Sequence, residues 1–316
     1  MFAARGIAVS LSVFVMVYCV LSLAVCLGWR TVRLHSQRHR VRRIADLLFA
    51  LRLFPLVAAA VITAALTVPS FLLLEPRAID EPMSAIPLML GICGLVLGAF
   101  GIANASIAIR RASRTIAKWT SAAHLIDSCA PVPVLRISQL VPAMTAAGII
   151  RPRVLLSGAA ESMLTANELQ TALNHEIAHV RRRDNLKKLL LRFVAFPGMS
   201  GLEAAWLEAT EMAADDAGVS NASEALDLAS ALIKLSRLGP IEPPVDLTAA
   251  LVHSPASVMN ARVARLIAWT DERCVPSQNF SPWYSLGATL AAVAVFTLNY
   301  SQLLTRLHTA TEWLVR

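Results

Sequence analysis

The stretch "ALNHEIAHVRRRDN", residues 172–185, sets two histidines four residues apart with a glutamate directly after the first. Just upstream, "TANE" at 165–168 is a capping box, in which Thr165 caps a helix and Glu168 reaches back to its start. The sequence therefore predicts a helix that runs through the motif to Phe196, where Pro197–Gly198 stops it. On a helix, positions i and i+4 share a face. His175 and His179 thus aim two imidazoles at one point, as a zinc ion requires. Glu176 stands where it can take a proton from a water activated at that point.

Catalytic zinc keeps three protein ligands and an open position. The third is sought in "WLEATEMAADDAGVS" (206–220), on a helix expected over about 202–218. Glu208, Glu211 and Asp215 fall on one face of it. Glu211 lies far enough past His179 for a turn and an antiparallel return. Asp215, one turn later, can accept a hydrogen bond from the back of a ligand histidine and so fix its tautomer. Glu208 and Asp216 are the reserve candidates for the third ligand.

Around this centre the chain is unusually apolar: 56% of its 316 residues are hydrophobic and the mean hydropathy is +0.58. A bilayer-crossing helix needs roughly 20 apolar residues. Four charge-free runs reach that length: 7–29, 53–74, 87–109 and 283–304. The first is too long for a signal peptide and is followed by arginines rather than a small-residue cleavage site, so it reads as a retained span. The expected plan is a membrane domain (1–109) with three spans, a second domain (110–282), a fourth span (283–304) and a short tail (305–316).

Arg30, Arg33, Arg38, Arg40, Arg42 and Arg43 follow the first run, and Arg110, Arg111, Arg114 and Lys118 follow the third. The loop between the second and third carries Glu75, Asp80 and Glu81 against Arg77 alone. Basic loops stay cytoplasmic, so residues 110–282 are expected inside and both termini outside. Anionic lipid headgroups account for the net charge of +8, and no nucleic-acid partner is required. The five cysteines form no C-x-x-C pair, which removes a redox motif or a cysteine zinc site. Gly91, Gly94, Gly98 and Gly101 in the third run read as helix packing. In 110–282, "PVPVLRISQLVPAMTAAGIIRPRVLLSG" (131–158) predicts two or three short strands, and helices are expected over about 224–238 and 261–269.

"TANELQTALNHEIAHVRRRDN" followed by "EMAAD" resembles the membrane metallopeptidases of the BlaR/MecR antirepressor type, which are related to HtpX and the CAAX-prenyl proteases. The resemblance covers about residues 130–270, and the four-span plan fits it. It implies a cytoplasmic, mainly α-helical α+β domain of gluzincin type in a bacterial cytoplasmic membrane. It implies Zn2+ on His175, His179 and Glu211, Glu176 as general base and Asp215 behind a ligand. Asp184 matches an aspartate of BlaR-type members, although a helix-face pair with Arg181 or Lys188 serves as well. "PRVLLS" (152–157) resembles the edge strand that aligns a peptide substrate, with an internal strand as the alternative. In "HSPASVMNARVARL" (253–266), similar to a His-x-Pro-plus-Arg pattern of the wider group, His253 is a candidate oxyanion stabiliser.

The implied partners are a protein or peptide substrate, which the resemblance extends to a DNA-binding repressor, the lipid membrane, and a separate sensor. An HtpX-like housekeeping protease and a non-catalytic signalling protein with structural zinc are the competing classes. Substrate, signal and oligomeric state stay open at this level. None of the four lysines stands three residues after a serine, so the S-x-x-K chemistry of a penicillin-binding domain is not expected.

Overall fold

The computed structural model describes residues 2–36, 41–75, 84–126, 131–138, 143–194, 196–238, 247–250, 256–269 and 296–315. The protein is mostly helical with one small sheet. Among the described residues, three helices are long and apolar enough to cross a membrane: Phe2–Leu34, Val41–Leu74 and Ala85–Thr120. The expected fourth run, 283–304, is described only from residue 296.

The chain divides into two units. The first comprises Met1–Gly28, Leu53–Phe100 and Val275–Arg316. It draws on α1 (Phe2–Ser36), α2 (Val41–Ile62), a π-helical turn (Thr63–Thr67), α3 (Val68–Leu74), α4 (Ala85–Thr120) and α11 (Tyr300–Val315). The π turn has a local cause. Pro69 has no N–H and crowds the carbonyl four residues back, that of Ala65, so the helix widens ahead of it. In an apolar setting that freed carbonyl needs a donor, and Tyr300 Oη donates to it at 2.9 Å. Added Cβ atoms on Gly91 and Gly94 would crowd Ala8 at 3.3 Å and Val15 at 3.1 Å, so these two glycines do serve close packing against α1.

The second unit comprises Trp29–Arg52 and Gly101–Cys274. Its sheet has the order β1-β2-β4-β3-β5, with β1 His124–Ile126, β2 Val134–Ile137, β3 Met144–Ala147, β4 Arg153–Ser157 and β5 Thr248–Ala250. β4 pairs parallel with β2 and antiparallel with β3, and β5 runs antiparallel along the other side of β3. "PRVLLS" is thus the internal strand of the two readings, because both its edges are taken. Helices α5 (Gly158–Met163), α6 (Ala166–Arg181), α7 (Asp184–Phe193), α8 (Ser200–Gly218), α9 (Ala222–Ser236) and α10 (Ala256–Ile267) complete the unit.

The core joins Val134, Val154 and Leu156 of the sheet to Leu228, Leu232 and Leu235 of α9. Each fully buried leucine contributes roughly 1.5–3 kcal/mol. The Asn221 cap of α9 contributes about 1 kcal/mol, so packing dominates. The C-terminal part of α1 and the N-terminal part of α2 belong to this unit as well: Arg33 pairs with Glu208 at 2.8 Å, Lys187 with Asp46 at 3.1 Å, and Phe49 packs on the buried Trp206.

Candidate metal centre

Helices α6 and α8 meet through small residues. Glu211, Ala214, Asp215 and Gly218 recur at i, i+3, i+4 and i+7, which is one helical face. A Cβ on Gly218 would stand 3.0 Å from the His175 backbone nitrogen, so glycine alone lets the end of α8 close on α6. This approach brings Glu211 and Asp215 to the two histidines.

The ring nitrogens Nε2 of His175 and His179 lie 3.1 Å apart. Glu211 completes the triangle, with Oε2 3.7 Å from His175 Nε2 and Oε1 3.6 Å from His179 Nε2. Each ring is held from behind. His179 Nδ1 lies 2.8 Å from Asp184 Oδ2, and His175 Nδ1 lies 3.0 Å from Asp215 Oδ1. The second contact is close but off the line of a straight hydrogen bond, because Asp215 is shared. Arg262 Nε donates to Asp215 Oδ2 at 2.8 Å and Nη2 to Oδ1 at 2.7 Å, while Nη1 lies 3.0 Å from Glu211 Oε2.

An ionised carboxylate only accepts, so each Nδ1 carries a proton and each Nε2 turns a lone pair inward. Two lone pairs and a carboxylate at these distances repel unless a cation lies among them. Tetrahedral zinc, with bonds of about 2.0–2.1 Å, sets its ligand atoms roughly 3.3 Å apart. The observed separations of 3.1, 3.6 and 3.7 Å fall on either side of that spacing. These residues fit the ion.

The surrounding carboxylates make the centre attractive to positive charge, which a metal ion would supply in place of a second proton on His175. Burial pulls the His175 pKa down, but the Asp215 and Glu211 carboxylates outweigh it and carry the group up to about 9. Burial pushes Glu211 up, yet His179 and Arg262 hold it at about 2. Asp215, also against its burial, is held well below the carboxylate range by Arg262 and His175. Glu176 behaves oppositely, because burial dominates and raises it. Its Oε2 accepts the Ala146 N–H of β3 at 2.7 Å, and its buried Oε1 has no hydrogen-bond partner among the described residues. A carboxylate raised toward neutrality with one unengaged oxygen can take up and return a proton.

The expected single helix from 166 to 196 is two helices. Arg183 adopts φ 54, ψ 41, a left-handed conformation that ends α6 and restarts the chain as α7. On a continuous helix Asp184, five residues past His179, would lie about 140° around the axis and out of reach of its ring. The break turns Asp184 onto His179; Arg182 Nε and Lys187 Nζ stand at 3.5 and 3.9 Å, and Lys188 also feels the Asp184 charge. It also lets Asn185 Nδ2 donate to the carbonyls of Ala146 and Gly148 at 3.1 and 3.2 Å, which ties α7 to β3.

His175, Glu176, His179, Glu211 and Asp215 are therefore together. Glu208 is not, being paired with Arg33, and Asp216 pairs with Arg265. His253 lies outside the described residues. Sequence reasoning missed Arg262, and a signal was present. Met259, Arg262 and Leu266 share the buried face of α10, and a cation on an apolar stripe demands a carboxylate partner.

Among known proteins, the family model described as BlaR1 peptidase M56 matches residues 58–266, about two-thirds of the chain. A search of curated proteins finds no match. The matched span takes in α6, α8 and α10, and with them every group of the cluster just described. The chain belongs to the BlaR1 peptidase M56 family and is a membrane-associated metallopeptidase.

Proposed function

We propose that this metallopeptidase is a zinc endopeptidase of the HExxH gluzincin type, with His175, His179 and Glu211 as ligands and Glu176 as general base. The observation that carries the reading is the His175–His179–Glu211 triangle with Glu176 beside it, unengaged at Oε1. Zinc held there would polarise a scissile carbonyl and lower the pKa of a water to about 7. The chain supplies the rest. Asp184 and Asp215 keep both Nε2 lone pairs turned inward, and Arg262 fixes Glu211 and Asp215. Glu176 Oε1 takes the proton of the attacking water and returns it to the leaving amine, while Oε2 stays on the Ala146 amide.

A peptide substrate is supported by β5, an extended segment lying antiparallel along β3 next to the Glu176 contact. A cavity of about 430 Å³ borders His179, Gly148, Ile150, Pro152 and Arg183, enough for a substrate side chain. The four apolar runs support four spans, and the charge pattern supports a cytoplasmic peptidase domain over 110–282. The resemblance to BlaR/MecR-type proteins implies a bacterial cytoplasmic membrane. Regulated cleavage of a protein such as a transcriptional repressor, triggered through the spans or a separate partner, is the corresponding role.

The test is trapping. Glu176→Gln protein expressed in its membrane should retain a protein substrate on affinity purification that the active protein releases as fragments. Recovery of the same intact proteins with both forms would contradict an endopeptidase.

A further inference from the structure

A second group of metal-type ligands lies in the other unit, remote in sequence from the HExxH motif. Glu75 caps the C-terminus of α3, and His308 and Glu312 stand four residues apart on α11. One ligand atom from each lies within 4.8 Å of the other two. His308 Nδ1 is 3.9 Å from Glu75 Oε2, and His308 Nε2 is 3.5 Å from Glu312 Oε1. Arg5, near the start of α1, holds Glu75 Oε1 at 3.2 Å.

This is more than an acidic surface. The Glu75 side chain is only 10% exposed and His308 16%, while Glu312 at 44% is free to close over them. With Oε1 occupied by Arg5, the remaining oxygen of Glu75 faces the imidazole. Two carboxylates against one guanidinium leave the group a net −1 while His308 is neutral. The C-terminal turn of α3 adds partial negative charge beside Glu75, which favours a cation. His308 and Glu312 present an i, i+4 pair on one helical face, the spacing that lets two side chains share an ion.

We infer that Glu75, His308 and Glu312 form a second divalent-cation site, for a borderline ion such as Zn2+. One imidazole with two carboxylates is a ligand set of intermediate softness, suited to zinc rather than to calcium. The two ring nitrogens of His308 point apart, so an ion takes one of them. The ligand atoms, within 4.8 Å of one another, must draw in by up to about 1.5 Å to reach the roughly 3.3 Å spacing of a tetrahedral ion, mainly by movement of the exposed Glu312. Occupation would tie α1, α3 and α11 together at one end of their unit, with Arg5 as the competing internal cation.

Equilibrium dialysis of the full-length protein in detergent against a chelator-buffered Zn2+ series tests this. Two classes of bound zinc are expected. His308→Gln and the mild, surface-side Glu312→Gln should each weaken one class at least about tenfold and leave the other unchanged. His175→Gln should do the reverse, so failure of the peptidase site and failure of this one are separately visible. Arg5→Gln, which removes the competitor, should tighten the second class. A single class, or a second class indifferent to His308→Gln and Glu312→Gln, overturns the inference and leaves His308 as an ordinary ion-pair partner of its two carboxylates.

Discussion

Asp184 reaches the back of His179, at 2.8 Å, only because the residue before it, Arg183, is left-handed. The backbone break and the orientation of the imidazole are one feature. Asp184→Asn keeps the shape but can turn a donor toward Nδ1, so it should lower zinc affinity about 10–100-fold. Zinc competition against a chromophoric chelator measures this, and unchanged affinity would show that His179 needs no such partner.

Arg183 itself bears a cost of about 1–2 kcal/mol for its conformation. Arg183→Gly should leave the fold as stable or up to about 1 kcal/mol more stable, whereas Arg183→Val should destabilise it. Thermal or denaturant unfolding of the two variants compares them directly. Equal losses in both would mean the guanidinium, not the backbone, matters there.

Gly218 is the contact on which the approach of α8 to α6 depends. A methyl group there meets the His175 backbone at 3.0 Å, and backbone cannot yield cheaply. Gly218→Ala should cost about 1–3 kcal/mol and weaken metal binding by moving Glu211 and Asp215 outward. A variant with native stability and zinc affinity would show that the two helices have slack.

How much of this was legible follows from what each feature depends on. The histidine pair and the Glu211–Asp215 face depend on helical period alone, so the spacing revealed them. Three successive arginines carry no glycine or asparagine to announce a left-handed residue, so the break at Arg183 and the role of Asp184 were hidden. Arg262 comes from a distant helix, and only its place between Met259 and Leu266 hinted at burial. The strand "PRVLLS" gave no sign of which edge would be covered, because pairing partners are not written in a strand's own residues.

Acid should weaken the peptidase unit through Glu168. That carboxylate accepts from Lys234 Nζ at 2.7 Å and from the Thr165 amide at 2.8 Å. Burial opposes ionisation, but Lys234, Ser230 and Thr165 together hold the pKa at about 2, against an ordinary value of 4.5. A group depressed on folding adds stability that is complete above the unfolded pKa and fades as pH falls from about 4.5 toward 2. Lys234 is one-third exposed, so solvent screening reduces the contribution to about 1–2 kcal/mol. Glu168→Gln should lose that amount at pH 7 and flatten the acid limb of a stability–pH curve. An unchanged acid limb would assign it to other groups.

The topology proposal predicts that reporter fusions at Ser84 and Ser236 report opposite sides of the membrane, with Ser236 inside. The same side for both would overturn the four-span arrangement.

The central claim is that Glu176 moves protons at a metal it does not bind. Elemental analysis of purified Glu176→Gln protein, paired with a peptide-cleavage assay, tests it most directly. The account predicts zinc at the His175–His179–Glu211 centre equal to that of the unaltered protein, with cleavage lost. Normal cleavage by Glu176→Gln, or loss of that zinc together with activity, would contradict it.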